Sequence, residues 1–349
     1  MDINKVYNID GIELMRKMVE ELGEQSVDMF LCDFPYTYKG KQRVTANKWD
    51  TPIDIDEFFK LAKILLKPFG VIALTATNPF SSYLVNKGLD MYKYEWIWEK
   101  DNGSNFVHVK HQPFRVHEHV LIFGKAPTTY NKKEEYMYYY PQFTYSTPYK
   151  MKRKGSVDNL DGFKGRIDTE NKDGKRYPRS VQKFNMEKGL HPTQKPVTLF
   201  SYLIETHCPK GGLVVDICCG SGTTAISCIN TDRNYIVNDN SEKYFNVTVE
   251  RIKNINEIEK LNLLCPSLYY GNVDKYTKDL LDSDITDCMS VLQDFYYKVS
   301  IKISNLFNNV EWFGVEKLDD NKLRFIFIND ITGNLFNIDL SYDELVQLN

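Results

Sequence analysis

Two groups of residues in this 349-residue chain pair chemically useful side chains with a telling spacing. The first is Gly220-Ser221-Gly222-Thr223-Thr224-Ala225, a G-x-G-x-x-A turn, with Asp239 following 19 positions after Gly220. Glycines in such a turn let the backbone approach a ligand, and a carboxylate ending the next strand accepts both hydroxyl hydrogen bonds of a ribose. That is the chemistry of a nucleoside-cofactor site, and it would serve NAD, FAD or S-adenosylmethionine (SAM). Asp216, four residues before Gly220, is placed to meet an ammonium group, and no basic residue lies within the turn to hold a pyrophosphate. Both features favour SAM over a dinucleotide. The second group is Asp33-Phe34-Pro35-Tyr36, a carboxylate followed by a rigid bend and an aromatic ring. It opens a basic segment with Lys39, Lys41, Arg43 and Lys48 and no acid. Taken alone, it is also an ordinary D-x-P-Y turn.

The flanking residues predict the elements that must position these groups. Residues 27–32 form a short apolar run that ends as a strand at Asp33, because Pro35 cannot donate a ladder hydrogen bond. Phe58, Leu61, Ala62, Leu65 and Leu66 have helical spacing, and residues 71–74 read as a strand. Residues 94–98 and 119–123 are further strand candidates that should pair or neighbour each other. Leu199, Phe200, Leu203 and Ile204 mark one helical face, followed by a strand over 213–217, a helix over 223–229 and a strand over 235–237. Strands alternating with helices predict an α/β fold with a largely parallel sheet. Past residue 256 the pattern changes to a helical stretch, 276–307, and three strand-like runs, 311–315, 323–328 and 335–340. Turn signals Asp319-Asp320-Asn321 and Thr332-Gly333-Asn334 separate these runs.

Composition sets the outer limits. With 42% hydrophobic and 26% charged residues the chain reads as a soluble globular protein. No run of about 18 apolar residues exists, so no membrane span is expected. Asp2, Asp10 and Glu13 interrupt the N-terminal segment, so no signal peptide is readable. The seven cysteines contain no C-x-x-C pair, which argues against a disulfide framework or a cysteine zinc site and for a cytoplasmic location. His108, His111, His117 and His119 have only Glu118 as an acidic companion, so no metal site is expected. The net charge of -3 hides an asymmetry. Residues 124–190 carry 15 Lys/Arg against 8 Asp/Glu, whereas 255–349 carry 8 against 16. The basic block also holds a tyrosine-rich stretch, 130–149, and suits a polyanion; the acidic tail does not.

Together the motifs resemble a known family. Asp33-Phe34-Pro35-Tyr36 is similar to the D-P-P-Y signature of DNA amino-methyltransferases, which methylate N6 of adenine or N4 of cytosine. His191-Pro192-Thr193-Gln194-Lys195-Pro196 resembles the segment preceding the cofactor strand, and the stretch from Asp216 to Thr224 resembles D-P-F-A-G-S-G-T-T. Asn8-Ile9-Asp10 resembles N-G-D, and the stretch from Tyr235 to Tyr244 the acidic-strand segment. The catalytic motif precedes the cofactor motif by 183 positions, the circularly permuted order of the β class. Lys48-Trp49-Asp50 and the stretch from Tyr94 to Lys100 look like the phage- and prophage-borne branch. The resemblance covers residues 5–125 and 190–252.

The resemblance implies a Rossmann-like sheet of seven mostly parallel strands with helices on both faces. Residues 1–123 and 191–256 would form the catalytic domain, 124–190 a target-recognition insertion and 257–349 a C-terminal α+β extension. In this reading Asp33 and the Phe34 carbonyl each accept one N–H of the target amine, so that the lone pair faces the SAM methyl. Pro35 fixes the bend, and Tyr36 stacks on a base extracted from the duplex. Asp10, Thr193, Lys195, Asp216, Cys218, Gly220, Ser221, Gly222, Thr223, Asp239 and Asn240 are the expected cofactor residues. Phe34 stands where the family has a proline, and Cys218 where it has a phenylalanine beside the cofactor. Lys39, Lys41, Arg43, Lys152, Arg153, Lys154, Arg166, Arg176 and Arg179 are expected on double-stranded DNA. The tail suits a homodimer or partner surface. An aspartate in first position is commoner with adenine, so adenine N6 is the expected target, with cytosine N4 the alternative. Rivals are methylation of RNA or a protein amide, a catalytically silent SAM- and DNA-binding protein, and more distantly a dinucleotide oxidoreductase. No Pro-Cys dipeptide exists, which disfavours cytosine-C5 chemistry.

Overall fold

Short apolar strands alternate with helices, and eight of the strands add to one sheet. The structure is a computed structural model. It describes residues 1–37, 52–129, 135–151, 169–187, 189–190, 193–264, 268–269, 310–319, 322–329 and 335–341. The elements begin with β1 (Lys5–Tyr7), α1 (Gly11–Leu22), β2 (Val27–Cys32), α2 (Ile55–Leu65), β3 (Leu66–Ala76), α3 (Phe80–Lys87), β4 (Tyr92–Glu99) and β5 (His117–Gly124). Five short strands follow: β6 (Thr144–Tyr145), β7 (Tyr149–Met151), β8 (Thr169–Asn171), β9 (Lys175–Arg176) and β10 (Val181–Lys183). Then come α4 (Val197–His207), β11 (Leu213–Asp216), α5 (Thr223–Asn230), β12 (Asn234–Asn238) and α6 (Glu242–Leu264). Last are β13 (Leu268–Tyr269), β14 (Val310–Asp319), β15 (Lys322–Asn329) and β16 (Leu335–Ser341).

The chain divides into two compact units, Met1–Lys188 with Thr193–Phe245, and Gly189–Pro192 with Asn246–Asn349. The main sheet of the first has the order β1-β12-β11-β2-β3-β5-β4-β10. All neighbours run parallel except β3 with β5 and β5 with β4. The expected mostly parallel Rossmann-like sheet in permuted order is therefore present. β2 and β11, far apart in sequence, lie side by side with Val214 opposite Met29 and Val215 opposite Phe30. An eighth strand joins the expected seven: β10, from the insertion, pairs with β4 through Val181 and Ile97.

Both faces of the central strands are covered, which is why they read as continuous apolar runs. All six residues of β2 are buried. Phe30, Cys32, Ile72, Leu74, Leu121 and Phe123 pack in one cluster with Leu14, Met15 and Met18 of α1 and Phe58, Ala62 and Leu65 of α2. Met29, Leu31, Val71, Ala73, Val120 and Ile122 are equally buried on the other face. On that side the Tyr202 ring of α4 meets Trp96 of β4 edge-on at 5.8 Å. β2 also buries one charge, Asp28, which accepts from Lys67 Nζ at 2.7 Å and from the Leu213 N–H at 2.9 Å, tying three adjacent strands together. β3 is longer than the expected 71–74, and Leu66 opens it rather than closing α2. Pro68 lies within β3, where the β2–β3 register shifts between Val27 and Met29, and such an irregularity accommodates a proline.

Within the insertion, β6 pairs with β9 and β7 with β8, each as a two-stranded antiparallel ribbon. Cation–aromatic contacts replace an aliphatic core. Lys175 Nζ sits 3.6 Å from the Phe143 ring centroid, and the Arg176 guanidinium 4.7 Å from that of Tyr149. The second unit contains an antiparallel sheet of order β13-β16-β15-β14, covering the three expected strand runs and one short addition. The expected helix over 276–307 and the turns at Asp320-Asn321 and 332–334 lie outside the described residues.

Candidate active site

Strand direction assembles the site. β1, β12, β11, β2 and β3 run parallel, so their carboxyl ends share one edge; antiparallel β5 begins there and β4 ends there. That edge therefore carries Asp10 after β1, Asp239 after β12, Asp216 ending β11, Asp33 after β2, Thr75 near the end of β3, Glu118 near the start of β5 and Lys100 after β4. Ligands of open α/β sheets bind in the crevice at these ends.

Around Asp33 the side chains form a connected charged network. Its Oδ1 accepts from the hydroxyls of Thr75 and Tyr36, the latter at 3.1 Å, and its Oδ2 accepts from Lys195 Nζ at 2.5 Å. Tyr36 Oη also lies 2.9 Å from Glu118 Oε2, and Glu118 Oε1 accepts from Lys100 Nζ. Lys195 Nζ is 3.5 Å from Glu118 Oε2, closing the ring. Two carboxylates thus face two ammonium groups across one phenol. Burial pushes the Tyr36 hydroxyl well above its usual range, and Asp33 and Glu118 push it further, so it stays a donor. Burial would also raise Glu118, but the Lys195 and Lys100 ammonium groups outweigh it and hold the carboxyl below its usual range. For Lys195, burial acts downward and is outweighed by Asp33 and Glu118, so the amine is held above its usual range.

The tetrapeptide splits its side chains between this network and the core. The Phe34 ring is buried against Phe58, edge-on at 4.9 Å. The Tyr36 ring stacks on Phe80 at 5.6 Å and 28°. The Asp33 carbonyl accepts from Cys218 Sγ at 3.4 Å, which joins the tetrapeptide to the glycine turn.

On the cofactor side, Gly220 and Gly222 both have positive φ, 55° and 81°, and Gly222 caps α5 in the left-handed region that favours glycine. Asp239 receives the Gly220 N–H on Oδ2 at 3.0 Å and the Ser241 N–H on Oδ1 at 2.9 Å, which fixes its carboxylate at the turn. Burial pushes its pKa up. Asp216 is deeper, accepting from Thr224 Oγ1 at 2.5 Å and from the Cys218 N–H at 3.0 Å. Burial raises it to about 7; the two hydrogen bonds act against this, and the charges of Asp33 and Asp239 act with it. Among the described residues no ion pair reaches Asp216. Buried Asn238 clasps the loops: its amide donates to the carbonyls of Ile9 and Ile217 at 3.0 Å each, and its Oδ1 accepts from the Ile9 N–H at 3.1 Å.

The remaining expected residues divide. Asp10 is on the right edge, but its Oδ1 caps α1, accepting from the N–H groups of Ile12 and Glu13. Lys195, expected with the cofactor, has its ammonium on Asp33, while its carbonyl accepts from Thr223 Oγ1 at 3.1 Å. Ser221 and Thr223 are buried at the turn; Thr193 and Asn240 are exposed. Of the expected DNA contacts, Arg179 is exposed. Arg176 is not presented as a free cation: its guanidinium donates to Asn171 Oδ1 and to the carbonyls of Lys175 and Thr147, so it staples the insertion. Lys39, Lys41, Arg43, Lys152, Arg153, Lys154 and Arg166 lie outside the described residues, as do His191, Pro192 and the 48–50 segment. Sequence reasoning did not single out Thr75, Lys100, Glu118, Phe80 or Asn238 for the site. A carboxylate opening an apolar strand, as Glu118 does, was the available signal.

The family model N6_N4_Mtase, described as DNA methylase, matches residues 27–250, more than half of the chain, and this protein belongs to that family. The chain is 26% identical over 259 residues to Type II methyltransferase M.HpaI of Haemophilus parainfluenzae, covering 68% of this chain and 71% of that one. It is 26% identical to Type II methyltransferase M2.MboI of Moraxella bovis, covering 68% and 84%. Against Type II methyltransferase M.HinfI of Haemophilus influenzae the figures are 24% identity, 75% and 72%. Among solved structures, the M1.HpyAVI–SAM complex aligns with TM-score 0.45 and 20% identity over 71% of this chain and 98% of that one. The cytosine-N4-specific PvuII DNA methyltransferase aligns with TM-score 0.48 and 15% identity over 70% and 84%.

The buried network makes Glu118→Gln costly. Lys100 is then left without its counter-charge, and removing one partner of a buried pair costs about 3–5 kcal/mol. Urea denaturation should show a loss of that order for Glu118→Gln, with much of it recovered in Glu118→Gln/Lys100→Met. A single variant as stable as the wild type would show that the pair carries no stability.

Proposed function

We propose that this protein transfers a methyl group from SAM to the exocyclic N6 amine of an adenine flipped out of a specific double-stranded DNA sequence. The observation that carries this reading is the Asp33 carboxylate, held at the carboxyl edge of the sheet and joined through Cys218 to the glycine turn. A carboxylate has about four acceptor positions. Thr75 takes one on Oδ1 and Lys195 one on Oδ2, and the single Tyr36 hydroxyl proton is shared between Asp33 Oδ1 and Glu118, so at least one remains for an N–H of the target.

SAM supplies an electrophilic methyl on a sulfonium. The residues present fit it: Asp216 is a buried carboxylate suited to its ammonium, and Asp239 is suited to its ribose hydroxyls. With Asp33 these acids give the positively charged donor a negative surround. Asp33 and the Phe34 carbonyl each take an amine hydrogen, which orients the lone pair and stabilises the charge that develops on nitrogen. Phe34 fills the core with its ring, so it needs only its backbone for this task. Phe80 backs one face of Tyr36, and the extracted base stacks on the other. Lys195 holds the Asp33 carboxylate in place. An aspartate at the first motif position supports adenine over cytosine, and the Lys48-Trp49-Asp50 and 94–100 segments support the phage-type branch. The basic insertion reads the sequence, with Arg179 on phosphate, and the C-terminal unit serves assembly as a homodimer.

Tritiated methyl from SAM should therefore appear on adenine N6 of duplex DNA, and Asp33→Ala should lower turnover at least about 100-fold while SAM still binds. Label on cytosine N4 would overturn the base assignment, and normal turnover in the variant would overturn the role of Asp33. Asp239→Ala should weaken SAM about tenfold or more through lost ribose hydrogen bonds, measured by calorimetry. Unchanged affinity would remove Asp239 from the cofactor site.

The raised pKa of Asp216 gives SAM binding a pH dependence. Below about pH 7 the free protein holds a proton on Asp216, and pairing with the ammonium must expel it. Affinity should therefore rise by up to about tenfold per pH unit as pH approaches 7, then level off. Asp216→Asn should flatten that slope, as read by calorimetry across pH. A sloped profile in the variant would assign the proton to another group.

A further inference from the structure

β4 and β5 are joined by a loop, 101–116, that springs from the charged network itself. Lys100 and Glu118 close its base as an ion pair, the Lys100 N–H donates to the Val116 carbonyl at 2.8 Å, and Glu118 bonds the Tyr36 hydroxyl that reaches Asp33. The stem is built rather than loose. Buried Asn105 braces it, donating to the Pro113 carbonyl at 2.9 Å and accepting from the Arg115 N–H at 2.7 Å. Gly103 sits so close under the Phe114 ring that a Cβ there would collide with it. On this rigid stem a single helical turn, Phe106–His108, lifts two large apolar side chains into solvent. Phe106 is 76% exposed and Val107 81%.

An apolar tip held out this far needs a partner with an apolar interior. The rest of the loop adds positive charge: Lys110 and Arg115 follow the tip in sequence, residues 102–116 contain no carboxylate, and Asp101 at the loop's start accepts the Met186 N–H. Apolar and cationic groups together fit a stack of bases inside a phosphate backbone. Extracting a base from a duplex leaves a hole and costs a few kcal/mol of stacking and pairing. Proteins that distort DNA insert apolar side chains between bases to offset that cost.

We propose that Phe106 and Val107 form a wedge that enters the duplex beside the target and fills the space left by the extracted base. This rests on the DNA methyltransferase reading and adds a component outside the catalytic tetrapeptide and the basic insertion. The wedge acts on the duplex and not on the amine, so its effect must depend on whether the target base is paired.

The test uses the full-length protein and Phe106→Ala/Val107→Ala, both exposed positions, with unchanged thermal unfolding as the folding control. The methylation site is first mapped on plasmid DNA treated with the wild-type protein. Short duplexes carrying it are then compared, one with the target adenine paired and one with it opposite an abasic site. The variant should lose about tenfold or more in kcat/KM on the paired duplex, stay within about threefold of wild type on the abasic-opposed duplex, and bind SAM unchanged. Wild-type rates on the paired duplex would overturn the wedge, and binding of the same tip to anionic vesicles or to a protein would then identify its partner. Equal losses on both duplexes would also overturn it, because a wedge acts only before the base is free. If the wild-type protein methylates no DNA, the methyltransferase reading fails and the wedge fails with it. A wild type that methylates alongside an unaffected variant separates the two failures.

Discussion

The position of the Asp33 carboxylate depends on the buried ammonium of Lys195, which lies 2.5 Å from it. Lys195 in turn is kept charged by Asp33 and Glu118, and Glu118 by Lys195 and Lys100. Each of the four is held by oppositely charged neighbours, so the network forms only when all of them are in place. Their positions come from β2, β4, β5 and the segment before α4, which meet only when the sheet is complete. The ion pairs thus make the geometry of the site a consequence of the whole sheet.

The cofactor half is held by a different device. Main-chain N–H groups and one buried amide do the positioning: Gly220 and Ser241 donate to Asp239, and Asn238 bridges the loops after β1 and β11. Gly11 brings the start of α1 so near the Ile217 carbonyl that a Cβ there would lie 2.8 Å from it, so loop closeness is part of the design. Among the described residues Asp216 and Asp239 are held by N–H and hydroxyl donors and form no ion pair. That is the state a cationic ligand requires, and it contrasts with the cation-rich surroundings of Asp33 a few residues away across Cys218.

The insertion is organised on a third principle. It lacks the aliphatic residues for a core, so it uses paired ribbons, ring–cation contacts and the Arg176 staple, and borrows stability from the main sheet through β10. The Tyr138 N–H donates to the Phe69 carbonyl and the Tyr140 N–H to the Thr206 carbonyl, which anchors its entry. Such construction keeps aromatic and basic groups near the surface, where Tyr145, Tyr177 and Arg179 are exposed.

Local chemistry made much of this legible from the chain alone. The apolar run before Asp33, the glycine turn before α5 and the acid after β12 each depend on neighbours within about one element, and each lies where its pattern places it. α1 was less visible: its apolar residues are diluted by Arg16, Lys17 and Glu20, and its capping acid, Asp10, was read as a cofactor residue. β1 and β10 are three-residue strands that earn their place only by pairing with β12 and β4. The ring of charges was beyond the sequence for the same reason. Asp33 and Glu118 are 85 positions apart and Lys195 lies 77 beyond Glu118, and no local pattern links them. The sequence by itself determined which strands end in acids and where the backbone can turn. The sheet order decided which of those ends share an edge, because only parallel neighbours, with β5 reversed, deliver an aspartate, a glutamate and two lysines to the same few ångströms.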